Sequence, residues 1–417
     1  MGGKAVLYVV IGFSLILMTK ENNMNKASVR SVANMVEYNS NLNAHNIAVG
    51  GANLAANQIF LDPTWTAGYN NIAFSGGKIN VSVSVIDQIK NIRRVTSIGT
   101  YNYFSDTVQI TLQPSKFSKF AYYSTSEGGT IYWVTGDTVW GPLHTQDYIN
   151  VSGSPVFYGK VSTKLGMRSN GYWIGPWWNR KLVTNADPKF YGGYQQGVDL
   201  SLPPANISNL ENSALKGGYD FTGHDTVYVT FAGDSLKYKY TYNSIPTTVY
   251  SKTFAPNGVI FASNAVLRIK GTVKGLYSIG ASGSTGTMGN VYIDDDIVYD
   301  TNPRTNPNST DMLGIVANNN VFITNNAANN KDINIDASIY CSNGGFGAQN
   351  YDTRPVSGNI NLLGGIQQHT RLPVGTFSGG DIYSGFNKKY KYDDRLMYSS
   401  PPDYPNTGSF EIVAWYE

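Results

Sequence analysis

Asp294, Asp295 and Asp296, followed by Asp300, form the densest acidic run of the chain. Clustered oxygens attract Ca2+, and a positioned pair of carboxylates performs acid–base chemistry on glycosidic bonds. Successive residues of a strand face opposite sides, so only Asp294 and Asp296 can share a site. The plainer reading is a solvated turn. Trp173, Trp177 and Trp178 lie in one loop broken by glycine and proline, GYWIGPWWNRK. Exposed, such rings stack on sugars or bury into a neighbouring subunit, because aromatics are enriched at the buried centres of interfaces. Buried, they form a local core. His144 precedes Asp147 in GPLHTQD without a nucleophile at a recognisable spacing, and reads as a structural histidine. Cys341, the single cysteine, can form neither an internal disulfide nor a paired-cysteine motif, and reads as a small buried core residue.

No GxSxG, Walker, GxGxxG or CxxC motif occurs, and the histidines at 45, 144, 224 and 369 lack HxxxH or HExxH spacing. The expectation is a protein that is not an enzyme, with no catalytic residue, no metal and no cofactor. A net charge of +3 without clustered Lys or Arg gives no reason to expect a nucleic-acid partner. Charged residues are only 14% of a chain rich in Gly, Asn, Ser, Thr and Tyr, which suits short strands and many turns.

The elements that must carry these residues start with an apolar run at 5–18, AVLYVVIGFSLILM, flanked by Lys4 and Lys20. As a helix it is roughly 21 Å long, against about 20 apolar residues for a comfortable membrane span. Three readings are open: a helix retained in the final product, a cleaved signal peptide, or an ordinary buried helix. TKENNMNK after Met18 offers no small-x-small cleavage site, which favours retention. From Met24 to Phe60 no proline occurs, and small or apolar residues recur at steps of three and four. Val29, Val32, Ala33 and Val36 form one group; Ala44, Ile47, Ala48, Ala52, Ala55 and Ile59 continue it. Ser40 and Gly51 interrupt this stripe, the Asn-rich stretch 21–25 is the expected kink, and Asp62-Pro63 ends the helix.

Alternation of Ile79, Val81, Val83 and Val85, and again of Val108, Ile110 and Leu112, predicts a small antiparallel meander with turns at Gly76-Gly77 and Ser105-Asp106. Past Lys116 the texture changes. The pentads IFASN from Ile260, IGASG from Ile279, IVANN from Ile315 and IYCSN from Ile339 share an aliphatic residue followed two positions later by a small one. Each precedes an alternating strand, at 266–269, 291–293, 321–323 and 360–362. Such repetition predicts the rungs of a right-handed parallel β-helix, starting near Ile131, with the four isoleucines stacked in one inward column. A long insertion is expected at about 166–253, including a hairpin from Thr226 to Tyr242 that turns at Gly233-Asp234. Pro401, Pro402 and Pro405 stop the rungs, and the last strand, SFEIVAWYE, is expected to cap their open edge. The predicted class is α+β: an N-terminal helix at 1–62, a meander at 63–115 and a solenoid-like domain at 116–417.

An apolar helical half that continues into an amphipathic half, followed by a small meander, resembles type IV pilins and pseudopilins. HNIAVGGANLAANQIF in particular looks like the small-residue helix of minor-pilin-like proteins. The resemblance covers about the first quarter of the chain and rests on layout. It departs from the family in lacking a glutamate inside the apolar run, the first acid being Glu21. It implies a structural subunit whose partner is itself in a helical homopolymer on a bacterial cell surface, in the inner membrane only before assembly. Val6, Leu7, Val9, Val10, Ile11, Phe13, Leu15, Ile16 and Leu17 would form the filament core, with Trp173, Trp177 and Trp178 as intersubunit aromatics. The alternatives are a membrane-anchored β-helix that binds or cleaves surface polysaccharide, and a pseudopilin-like secretion component.

Overall fold

The computed structural model describes residues 2–87, 91–200, 202, 205, 207–378 and 381–417. They form two compact units, Met1–Ser115 with Ser409–Glu417, and Lys116–Gly408.

In the first unit a single helix, α1 (Gly2–Leu61), precedes a five-stranded sheet. At about 1.5 Å per residue α1 is roughly 90 Å long. It runs without interruption through 21–25, so the expected kink is not there. Those asparagines have modest helix propensity, but no proline breaks the hydrogen-bond ladder. Asp62 ends the helix as anticipated, its carboxylate accepting the Thr64 amide at 2.9 Å ahead of the turn. The strands β1 (Tyr69–Phe74), β2 (Gly77–Asp87), β3 (Ile92–Tyr101) and β4 (Phe104–Lys116) pair antiparallel in chain order. The first hairpin turns at Ser75-Gly76, both with positive φ, and the second at Asn102-Tyr103, since Ser105 already pairs with Thr100. Asn102 takes the left-handed conformation that a two-residue hairpin demands, which is why the turn is not at Ser105-Asp106.

Ala44, Ile47, Ala48, Ala52, Ala55 and Ile59 are buried against this sheet, with Val81, Val95, Val108, Ile110 and Leu112 opposite. Ser40 and Gly51 do not interrupt the buried stripe; they belong to it. A Cβ on Gly51 would stand 2.4 Å from Ser97 Oγ, and one on Gly99 would stand 2.2 Å from the Ala44 carbonyl. The glycines therefore let helix and sheet backbones approach, which offsets their cost in helix propensity. Arg93 locks the exit of the helix, donating to the carbonyls of Pro63 at 2.5 Å and Trp65 at 3.1 Å.

The final strand, Asn406–Tyr416, corrects the sequence reading. It joins the meander as the neighbour of β4 and does not cap the rungs of the second unit. Its alternation buries Phe410 in the helix–sheet core, under the Arg93 guanidinium.

The second unit is built on parallel ladders. Ile260, Ile279, Ile315 and Ile339 lie side by side in register on four adjacent parallel strands, all fully buried. The column extends both ways. Tyr219 pairs with Ile260, and beyond Ile339 come Ile366, Tyr122, Leu143, Val161 and Tyr194. A second column runs Phe231, Gly271, Ile297, Ile335, Leu362, Tyr390, Val139, Phe157, Phe190. Strand neighbours lie about 4.8 Å apart, so the five isoleucines from Ile260 to Ile366 stack at van der Waals spacing in the first column, while aromatic and aliphatic side chains mix in the second. Cys341 occupies the small-residue position below Ala317 and above Gln368, and burial pushes its thiol up to about 12.

Three further expectations change. The strand that follows Cys341 is Phe346–Ala348, paired with Val321–Ile323, whereas the strand expected there, Ile360–Leu362, pairs with Ile333–Ile335 and contributes Leu362 to the second column. The stretch 166–253 is not one insertion. Gly166–Ser169 pairs in parallel with Tyr148–Val151, Tyr194–Gln196 with Val161–Thr163, and Thr226–Gly233 with Val266–Val273. What leaves the ladders there is the hairpin Gly171–Ile174 with Lys181–Thr184, and the antiparallel strands added after the turn at Gly233-Asp234, which falls where expected. Along the chain the parallel ladders begin with Tyr122–Ser126, ahead of the start expected near Ile131.

The order of strands in these ladders is also not chain order. Strands from 219 to 392 are followed in space by those from 122 to 196, joined where Ile366 meets Tyr122 and Tyr390 meets Val139. The chain returns along the side of the ladders. There the Tyr123 hydroxyl donates to the Leu200 carbonyl, the Ala205 amide donates to Tyr340 Oη, and Leu210 and Ala214 of the helix Ser208–Gly217 pack on Phe261 and Val316. At the join, Arg371 Nη1 lies 2.7 Å from Glu127 Oε2 and Lys388 Nζ lies 2.6 Å from Asp137 Oδ2. Among the described residues these are the ion pairs with both partners nearly inaccessible. Burial is the largest single influence on the Arg371 cation and works against it, but Glu127, Tyr122 and Asp137 together raise the guanidinium above its usual range. Both cations lie over the Trp133 ring, at 4.2 and 5.5 Å from its centre.

Candidate assembly surface

The residues anticipated for a filament core all lie on the part of α1 that has no partner within its unit. From residue 3 to 39 every side-chain position is exposed except Gly12, which is half-buried. Val6, Leu7, Val9, Val10, Ile11, Phe13, Leu15, Ile16 and Leu17 are each between 47% and 64% exposed, about what an isolated helix permits. The reading as an ordinary buried helix is therefore overturned. The run is long and apolar enough to cross a membrane, and its most apolar window has nothing packed on it. Val29, Val32 and Val36 are equally bare, so the periodicity that runs from 24 to 60 is used by the sheet only from Ser40 onward. Leaving this much apolar side chain in water is costly, at about 25 cal/mol per Å2.

Trp173, Trp177 and Trp178 occupy the protruding hairpin. Trp173 pairs with Leu182 across it, and Trp177 and Trp178 form its tip with rings at 5.6 Å, edge to face. They are 61%, 78% and 71% exposed, so they form no local core. The hairpin ends are wet on both faces, as residues 171–181 are all exposed. Nothing in sequence spacing marks a second group of rings, Trp140, Tyr158 and Tyr191. They stack at 5.3 and 5.4 Å because they occupy equivalent positions on three rungs that are adjacent in space.

The acidic run does not assemble a site. Asp294 receives two bonds from Arg268, at 3.0 and 2.5 Å, and one from Thr324 Oγ1, while Asp296 accepts from the Asn334 amide and Nδ2. The run sits where the register between 266–273 and 291–299 shifts, so the two carboxylates serve different neighbouring strands. Among the described residues no group of His, Cys, Asp and Glu is arranged to hold a metal ion.

His144 is buried, with Nδ1 2.8 Å from Ser162 Oγ and its ring stacked on Tyr123. Asp147 faces elsewhere, accepting the Glu127 amide. Burial, opposed by the Asp199 carboxylate, lowers the imidazole to about 4. A histidine that titrates lower in the fold than in the open chain contributes stability fully above about pH 6.5. That contribution is lost as pH falls toward 4, because the unfolded chain takes up the proton first. Between pH 7.5 and pH 4 the loss should approach about 3 kcal/mol. A urea titration of His144→Asn against the parent at several pH values should show a flatter acid limb in the variant. Parallel acid limbs would mean that the imidazole is not the group responsible.

No protein-family model matches the chain, and no curated protein matches it. Among solved structures, the crystal structure of the competence-associated pilin ComZ from Thermus thermophilus aligns over 90% of this chain and 97% of that one. The identity is 13% and the TM-score 0.37. A likeness of that degree establishes neither family nor function.

Proposed function

We propose that this chain is the structural subunit of a pilus-like filament on a bacterial surface, polymerising through α1 and acting without turnover. The observation that carries this reading is the bare apolar stretch of α1, continuous with a second half that is fixed to a folded sheet. Side-by-side packing of identical helices would remove Val6 to Leu17 from water, and each large apolar side chain fully buried contributes about 1.5–3 kcal/mol before entropy is subtracted. Gly12 and Ser14 offer small positions for close helix approach. In the absence of a glutamate within the run, register would be set by surfaces outside it. The Trp173, Trp177 and Trp178 hairpin is the candidate, since a bare aromatic tip gains most by burial in a neighbour. The in-register parallel columns support reading the second unit as a right-handed β-helix, with its rungs in permuted order.

Electron microscopy of the full-length chain after slow removal of detergent tests the proposal. Uniform filaments are expected, and density for the rungs would read their hand directly. A chain lacking residues 2–18 should remain a folded monomer. Filaments formed equally well by that shortened chain, or a full-length chain that stays monomeric without detergent, would refute the proposal.

A further inference from the structure

A cleft of about 180 Å3 opens on the outward face of the second unit, where the strands Thr226–Gly233, Ser235–Lys239 and Val266–Val273 lie side by side. Register places its side chains in two rows. Tyr228 is flanked by Lys239 on one side and Arg268 on the other; two residues along, Thr230 is flanked by Lys237 and Lys270. The cations thus form two rails about 10 Å apart with an aromatic and hydroxyl floor between them, and the two rows are about 6.7 Å apart along the strand.

The charges are not balanced locally. Arg268 is committed to Asp294. Lys237, Lys239 and Lys270 have no carboxylate partner among the described residues, and the lysine ion pairs lie elsewhere. Lys239 instead donates to the Tyr242 carbonyl and sits 5.4 Å from the Tyr228 ring and 5.2 Å from the Tyr242 ring. Tyr242, 74% exposed, rims the cleft.

From this arrangement we infer a binding site for an acidic polysaccharide, a polymer with about one carboxylate per sugar, lying along the strand direction between the rails. Three uncompensated lysines several ångströms apart match widely spaced carboxylates, and the exposed Tyr242 ring offers a face to a pyranose. Nucleic acid fits less well. Its charges are denser, and with Lys239 and Arg268 over the Tyr228 ring the cleft offers only the exposed Tyr242 and no row of rings for successive bases. The site is independent of assembly, so it can be tested on the dispersed subunit.

The experiment is calorimetric titration of the full-length chain in a non-ionic detergent with an oligogalacturonate, its methyl ester and a single-stranded oligonucleotide. Binding of the acid at low salt, weak or absent for the ester, is expected. Lys237→Glu/Lys270→Glu should weaken it by at least about tenfold. Both lysines are exposed, so folding should survive, and Lys237→Ala/Lys270→Ala repeats the comparison without reversing charge. Equal affinity for acid and ester, unchanged affinity in both double variants, or an oligonucleotide bound more tightly than the oligogalacturonate would overturn the inference.

Discussion

Replacing Glu127 by glutamine is expected to cost about 3–5 kcal/mol of stability, the range for leaving one member of a buried ion pair unmatched. Glu127 Oε2 holds Arg371 at 2.7 Å, while Oε1 accepts from the Tyr122 hydroxyl at 2.6 Å and from Ser124 Oγ at 2.5 Å. The amide would keep one acceptor and leave the Arg371 charge without a counterion in a site that is 3% exposed. Arg371→Met should fail similarly by stranding the carboxylate. Glu127→Leu/Arg371→Met together should recover most of the loss, because removing both charges removes both desolvation penalties. Urea unfolding followed by tryptophan fluorescence reads this well, since Trp133 lies directly under Arg371. Single variants within about 1 kcal/mol of the parent would show the pair to be dispensable. Its position gives it a reason. Stacked aliphatics can re-pair after a two-residue slip, whereas a charge pair enclosed where strands join out of chain order would lose its partner in any other register.

The second large effect concerns α1. Gly12→Leu should abolish filament formation while leaving membrane association intact or stronger. A leucine adds apolar surface, which favours lipid, but it fills the one half-buried position in an otherwise bare run and would hold neighbouring helices apart. Ile11→Arg should abolish filaments as well, since an unpaired charge in a packed helix interface costs several kcal/mol. Sedimentation after detergent removal, paired with flotation on liposomes, separates the two properties. A Gly12→Leu chain that pellets as filaments like the parent would exclude close helix packing at that position.

Local pattern alone determined a good deal. The apolar run, the small-residue stripe from Ala44 to Ile59, the meander and the isoleucine column from Ile260 to Ile339 are each legible because side-chain period reports directly on which face is buried. The hairpin at Gly233-Asp234 was legible for a similar reason, a turn residue between alternating strands. Tertiary structure decided the rest. The C-terminal strand, Asn406–Tyr416, could have capped the rungs or extended the meander, since alternation says that a strand has one buried face but not which sheet supplies it. The order of rungs is equally invisible, because Ile366 and Tyr122 are far apart in the chain and short parallel strands read alike whichever neighbour they take. Asp294 looked like one half of a carboxylate pair until the register shift beside it directed it to Arg268 and directed Asp296 to Asn334. The cationic cleft was hidden for the same reason: Lys237, Lys239, Arg268 and Lys270 are unremarkable along the sequence, and become one surface only when three strands align them across a face.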